Sequence, residues 1–281
     1  FISAEERVKS LLAGEVDLIW EIPGSRTLEV QKHPSAKIVK GETFFTVFAG
    51  LNFSTGPLTD LRVRRALNYA VDRRALIRYD LLGNGKVLAS SSMPKEGGHE
   101  PELKPYPYDP KLARRLLEEA GYSGGLTLRA IVNVNAERTA KILSAQLERV
   151  GVRLEKEMVT ESEFGRFGER RHDLSIGGSP DPMAHSYFIQ SIILYSRSPF
   201  CLAADPRYDA VLEEMVSSVD EGEREKRGRA LDRFVHERFY GIPTYQRLQT
   251  YGARKDLIFD HYVTGMPYFA TARFEEGGDA R

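Results

Sequence analysis

Residues 48–83 read FAGLNFSTGPLTDLRVRRALNYAVDRRALIRYDLLG, and the fold is decided in this stretch. Phe44, Phe45, Val47 and Phe48 lead into it as an apolar run. The run is too short for a globular helix and rich in β-formers, so it is expected to be a strand. Asn52, Ser54, Thr55, Gly56 and Pro57 break the strand. Thr59 or Asp60 can then accept from the first free N–H groups of a helix. Leu61, Ala66, Leu67, Ala70 and Val71 recur at helical spacing, with Arg62, Arg64 and Arg65 between them. Asp72 caps a second helix, and Gly83 suits its end.

The totals bound the answer around this stretch. A chain of 281 residues makes one large domain or two small ones. Hydrophobic residues are 41% and charged residues 28%, an ordinary globular balance. Forty Lys and Arg face forty Asp and Glu, so no global field attracts nucleic acid or anionic lipid. The basic runs at 62–65 and 224–229 are expected to be solvated helix faces. Cys201 is the only cysteine, which excludes an internal disulfide or a thiolate cluster. No apolar run is long enough to cross a bilayer. Phe1 opens directly into a charged helix pattern rather than a signal peptide.

Outward from the opening stretch, Ser3 to Ala13 predicts an amphipathic helix stopped by Gly14, and Val16 to Trp20 a strand. Trp20 is expected in the core. Leu28 to Lys32 suggests a short helix; Ala36–Val39 and Glu42–Ala49 suggest two strands. Val87 to Pro105, rich in Ser, Gly and Pro, is expected to be a surface loop with His99 solvated in it. Asp109-Pro110 opens a well-marked helix, ended by Gly121. A β-loop-α-β succession follows: strand Leu126–Val132, loop Asn133–Glu137, helix Thr139–Val150 and strand Val152–Met158. Ser162–Arg170 is expected as a short helix and Asp173–Ile176 as a strand. Gly177 to Pro182 is expected to turn, and Ala184–Tyr195, Pro206–Ser217 and Glu221–Phe239 to be helical. Ile242 to Tyr245 begins a return, and Glu275 to Arg281 is expected to fray.

Several of these strings carry a resemblance. Asn52-Phe53 followed by residues 57–73, PLTDLRVRRALNYAVDR, resembles the extracellular solute-binding proteins of family 5. These are the oligopeptide-, dipeptide- and nickel-binding receptors of bacterial ABC importers. LAGEVDL at 12–18, YDPKLARRLLEEAGY at 108–122, and LTLRAIVN to QLERVGVRLE at 126–155 are similar to the same family, in the right order. The resemblance runs from about Leu11 to Phe269.

It implies an α/β fold, periplasmic-binding-protein-like type II, with the C-terminal lobe complete and the N-terminal lobe partial. Residues 1–50 would trail from the first lobe, 51–245 would form the C-terminal ligand-binding lobe, and 246–281 would return. Hinge strands are expected near Val47–Asn52 and Ile242–Gln246. The implied function is capture of a peptide-like or other small solute for an ABC permease in the membrane. Its implied place is periplasmic or extracellular and membrane-associated. A monomer is expected, without cofactor, metal or nucleic acid. Such a receptor needs an export signal, so the chain is expected to be the C-terminal portion of a larger protein. The same module resembles ligand-sensing domains of some bacterial transcription regulators, which stands as the alternative.

Enzyme patterns do not appear. Gly177-Gly178-Ser179-Pro180-Asp181 lacks the spacing of a nucleophile elbow. His236-Glu237 is followed by Tyr240 where a zinc protease needs His. Gly83-Asn84-Gly85 has no third glycine. The six histidines stand singly. A binding site asks for a concavity with a few placed polar groups, usually after strand ends. Two loops qualify: 133–138, with Asn133, Asn135 and Arg138, and 177–187, with Gly177, Gly178, Ser179, Asp181, His185 and Tyr187. The resemblance points to the second as the pocket. There the chain departs from the peptide-binding pattern, which has an aspartate before the Asp-Pro to meet the peptide ammonium. Asp181 matches the family's turn aspartate, so peptide specificity is in doubt. Arg138, Arg166, Arg170 and Arg171 are candidates for an anionic ligand.

Overall fold

A computed structural model describes residues 3–22, 24–263 and 267–275. The chain opens with α1 (Ala4–Leu12), β1 (Leu18–Trp20) and α2 (Gly24–Lys32), then enters the long strand β2 (Ala36–Leu51). Next come α3 (Leu61–Tyr69), α4 (Arg73–Asp80) and β3 (Gly85–Val87). After a long loop, α5 (Pro110–Glu119) leads to β4 (Leu126–Asn133), α6 (Glu137–Glu148) and β5 (Val152–Val159). A 3-10 segment, Glu161–Glu169, connects to β6 (Leu174–Pro180). Helices α7 (Tyr187–Leu194), α8 (Pro206–Val216) and α9 (Glu221–Glu237) precede β7 (Gly241–Arg254), β8 (Leu257–His261) and β9 (Pro267–Phe274). The end expected to fray lies, from residue 276, outside the described residues.

Aspartates set the helix starts. Asp60, Asp72, Asp109, Asp205 and Asp220 each accept a backbone N–H from the first turn of the helix they precede. Each satisfies one donor that the helix itself cannot. The Asp60 carboxylate also holds the Arg62 guanidinium at 2.6 Å, and this pairing keeps its pKa below the ordinary carboxylate value. Asp60→Ala is expected to cost about 1 kcal/mol, seen as a lower urea midpoint with an unchanged slope. An unchanged midpoint would show that α3 does not need its cap.

Seven of the described strands form one sheet in the order β1-β7-β2-β6-β4-β5, with β3 also on β7, and β8 and β9 pair separately. β2 runs antiparallel to both β7 and β6, whereas β4 runs parallel to both β6 and β5. The two strands expected at 36–39 and 42–49 are one. The polar Lys40-Gly41-Glu42 step is carried by pairing to β7, with a register shift between Glu42 and Thr46.

The main core joins Leu67 and Leu76 of the opening helices to Leu117, Leu143 and Leu147, over Leu128, Val132, Ile176 and Ile242 of the sheet. A second cluster holds Tyr208, Leu212, Met215, Leu231 and Val235 between α8 and α9. A third gathers Val8, Leu11, Ile19 and Val30 at the start of the chain. Three expectations are corrected here. Trp20 is exposed, because strand alternation turns Ile19 inward and Trp20 out. Arg64 is buried, not solvated, and donates to the carbonyls of Leu58, Thr59 and Arg238. The stretch 87–105 is a surface loop only from 101 on: Leu88, Ser90, Ser92, Met93, Glu96 and Glu100 are all buried.

Candidate functional site

The two loops singled out in the sequence leave neighbouring strands at the same end. Val132 of β4 pairs with Ile176 of β6, so Asn133 and Gly177 are the next positions of two parallel neighbours. From β4 the chain crosses through α6 to β5 on one side, then through the 3-10 segment to β6 on the other. The carboxyl ends of β4 and β6 therefore flank a topological switch point, where open α/β sheets hold ligands.

The first loop is only partly at this point. Asn133 is buried, and its side-chain oxygen accepts the Asn135 N–H at 2.8 Å, a local turn lock. Asn135 donates its amide to Glu161 at 2.8 Å. Arg138 is carried away by the first turn of α6. It donates to the Tyr79 carbonyl and lies 3.7 Å from Asp80, in a separate polar cleft with Asn84 and Arg247.

The second loop is a correction. Gly177, Gly178 and Ser179 do not turn; they continue β6, opposite Phe48, Val47 and Thr46 of β2. Their composition signals a turn, but β2 offers a complete ladder partner, and pairing outweighs propensity. The turn begins at Asp181. Its carboxylate is buried and accepts the N–H groups of Met183 at 2.7 Å and His185 at 3.0 Å. His185 is half-buried against Gly97 and Gly98, its ring 4.6 Å from Tyr187, and desolvation lowers its pKa. Tyr187 packs on the cluster between α8 and α9. Asp181, His185 and Tyr187 thus point into the protein and shape the turn.

What β6 floors is an apolar cleft of about 230 Å³. Gly177, Gly178 and Ser179 lie at its base, with Phe48 from β2 beside them. Phe164 and Phe167 form one wall. In a 3-10 segment residues three apart eclipse, and the two rings stack at 4.8 Å. Phe200 meets Phe164 edge-on at 5.0 Å, and Phe188, Ile189, Ile192 and Ile193 of α7 add to the lining. Among the described residues no acidic or basic side chain lines it. The phenylalanines were not singled out in the sequence; the three-residue spacing of Phe164 and Phe167 was the available signal.

The cations proposed for an anionic ligand are engaged elsewhere. Arg166 pairs with Glu157, Glu163 and Glu169, and Arg171 with Glu169. Arg170 donates to the carbonyls of Cys201 and Ser196.

The largely buried stretch 88–100 brings polar groups against α9. The Ser92 hydroxyl donates to Asp232 at 2.6 Å and lies 2.8 Å from His99 Nδ1. Gln190 donates to the same carboxyl at 3.0 Å. His99 is therefore a partnered, largely buried histidine rather than a solvated one. Desolvation lowers its pKa and raises that of Asp232, which is fully buried. Glu96 accepts the Met93 N–H at 2.6 Å and meets Asp181, the turn residue after β6.

The family model for bacterial extracellular solute-binding proteins, family 5 Middle, matches residues 1–196. Heme-binding protein A of Haemophilus influenzae is 27% identical over 256 residues, covering 85% of this chain and 46% of that protein. The structure is similar to HbpA2 from Haemophilus parasuis, with a TM-score of 0.85 and 23% identity over 98% of this chain and 57% of that one. It is similar too to the ABC transporter-associated periplasmic binding protein DppA from Helicobacter pylori in complex with peptide STSA. There the TM-score is 0.78 and the identity 20%, over 95% and 54% of the two chains. The chain thus spans about half the length of the relatives it matches. The expected α/β class and periplasmic-binding-protein fold are found. Family 5 proteins bind substrates, are not enzymes, and are extracellular or periplasmic. This chain belongs to the bacterial extracellular solute-binding proteins of family 5.

Proposed function

We propose that this chain is the substrate-binding component of an ABC importer, holding a peptide-like or other small solute for delivery to a membrane permease. The observation that carries this reading is the apolar cleft beside the carboxyl ends of β4 and β6, at the switch point of the sheet. Family membership supports it. None of the relatives named above is a regulator, so the regulator alternative has no support from them.

In this reading residues 1–50 belong to the trailing part of a first lobe, 51–245 form the ligand-binding lobe, and 246–281 return. The separate cluster around Val8 and Leu11 supports the division. The antiparallel pairing of β2 with β7, Val47 opposite Tyr245 and Ala49 opposite Ile242, supports Val47–Asn52 and Ile242–Gln246 as the hinge. The receptor works in the periplasm or outside the cell, as a monomer docking at the membrane, and does not transform its ligand. Native mass spectrometry of the gently purified protein is expected to show a retained small-molecule adduct. A bare mass, with no binding across a panel of peptides, sugars and apolar solutes, would overturn the reading.

A further inference from the structure

We propose that the cleft takes a flat, uncharged aromatic group of the ligand, laid against the bare backbone at Gly177 between Phe48 and Phe167. The inference rests on the receptor reading above and names the ligand class of that site.

The first observation is a glycine that the protein itself does not need. Gly177 sits inside a paired strand without a left-handed backbone, and a Cβ built there would find Phe167 at 3.7 Å, an ordinary contact. Its neighbour differs. A Cβ on Gly178 would fall 2.8 Å from the Phe45 ring, so glycine there answers an internal demand. A glycine within a strand costs about 0.5–1 kcal/mol against alanine and leaves backbone open to close approach. At Gly177 the approach is from the cleft. Ser175, Gly177 and Ser179 share one face of β6 by strand alternation, and Phe48 is the cross-strand partner of Gly177.

The second observation is the chemistry of the walls. Phe48, Phe164, Phe167 and Phe200 offer ring carbon, and no ion-pairing side chain lines the cleft among the described residues. A charge placed there would lose hydration without a partner, at a cost of several kcal/mol. A volume of about 230 Å³ exceeds the roughly 150 Å³ cavity that takes benzene, so one ring system fits. Rings at 4.5–7 Å from neighbouring rings gain further attraction. Any charged part of the ligand therefore lies outside this cleft.

The test uses the 281-residue chain and the flat, uncharged fluorescent probe 2-methoxynaphthalene, a single ring system. Saturable binding at one site is expected, with displacement by 2-naphthol and none by glycylglycine. Gly177→Val fills the floor and is expected to weaken the probe about tenfold or more, with a thermal midpoint no lower than that of the wild type. Should the valine variant misfold, Gly177→Ala, which meets no atom closer than ordinary contact, is expected to weaken it about threefold. Wild-type affinity in the folded variant, absence of saturable binding, or displacement by glycylglycine overturns the proposal. Adduct identity keeps the two readings apart. A retained solute without a ring defeats this inference alone. A ring site sensitive to Gly177 in a protein that retains and binds no natural solute defeats only the receptor reading.

Discussion

Arg73→Ala is expected to leave the chain largely unfolded at room temperature. The guanidinium is 4% exposed and has no carboxylate partner among the described residues. It is held instead by oxygens: the carbonyls of Pro243 at 2.7 Å, Asn68 at 3.2 Å and Val71 at 3.3 Å, and the Asn68 side chain at 2.9 Å. The Tyr106 ring lies 5.4 Å away. Desolvation lowers the pKa to about 10, which still leaves the group charged at neutral pH. Its contacts join the end of α3, the start of α4, the buried loop before α5 and the first residues of β7. Alanine would strand several buried acceptors, each at about 1–3 kcal/mol, and open a cavity besides. The sum, about 5 kcal/mol, rivals the whole stability of an ordinary domain. Arg73→Lys keeps the charge but not the fork of donors, so an intermediate loss is expected. Urea unfolding followed by circular dichroism measures both. A midpoint for the alanine variant within about 1 kcal/mol of wild type would mean that this hub is replaceable.

Arg73 also marks where sequence reading stops. The helix that contains it was legible from Asp72 before it and Gly83 after it, because a cap and a stop are local features. That the arginine turns inward was not, since its acceptors include Pro243, far along the chain. The same division recurs. α5 was readable from Asp109-Pro110 and its leucines. The continuation of β6 through Gly177-Gly178-Ser179 was not, because its partner is β2. Ser90, Ser92, Glu96 and His99 look like solvated loop residues until Asp232 and Gln190 come to meet them. At the proposed site, the rule that ligands gather after parallel strands led to the carboxyl ends of β4 and β6. It could not say that one turn of α6 takes Arg138 elsewhere, or that Phe164, Phe167 and Phe200 line a cleft shared with Gly177.

Glu96→Gln is expected to stabilise the protein above neutral pH and to leave it unchanged near pH 5. Glu96 is 4% exposed, and desolvation pushes its carboxyl up to about 9. Asp181 and Asp232 face it and push in the same direction, against the Met93 N–H that favours the charged form. An unfolded glutamate releases its proton near pH 4.3. Between that value and about 9 the folded protein keeps a proton that the unfolded chain has lost. The stability this provides is complete below the unfolded pKa and drains as pH rises, by up to about 1.4 kcal/mol per unit. Glutamine keeps an acceptor for the Met93 N–H and does not titrate, so the variant escapes the decline. With partial relaxation around the charged form, a gain of about 2 kcal/mol is expected at pH 8, or about 5 °C in thermal midpoint. Asp232, whose pKa burial also raises, keeps a slope in both proteins, and the difference between the two profiles isolates Glu96. Parallel profiles from pH 5 to 9 would sink the argument. A divergence would mean that the fold keeps a proton on Glu96, beside the Asp181 carboxylate that fixes the turn after the floor of the cleft.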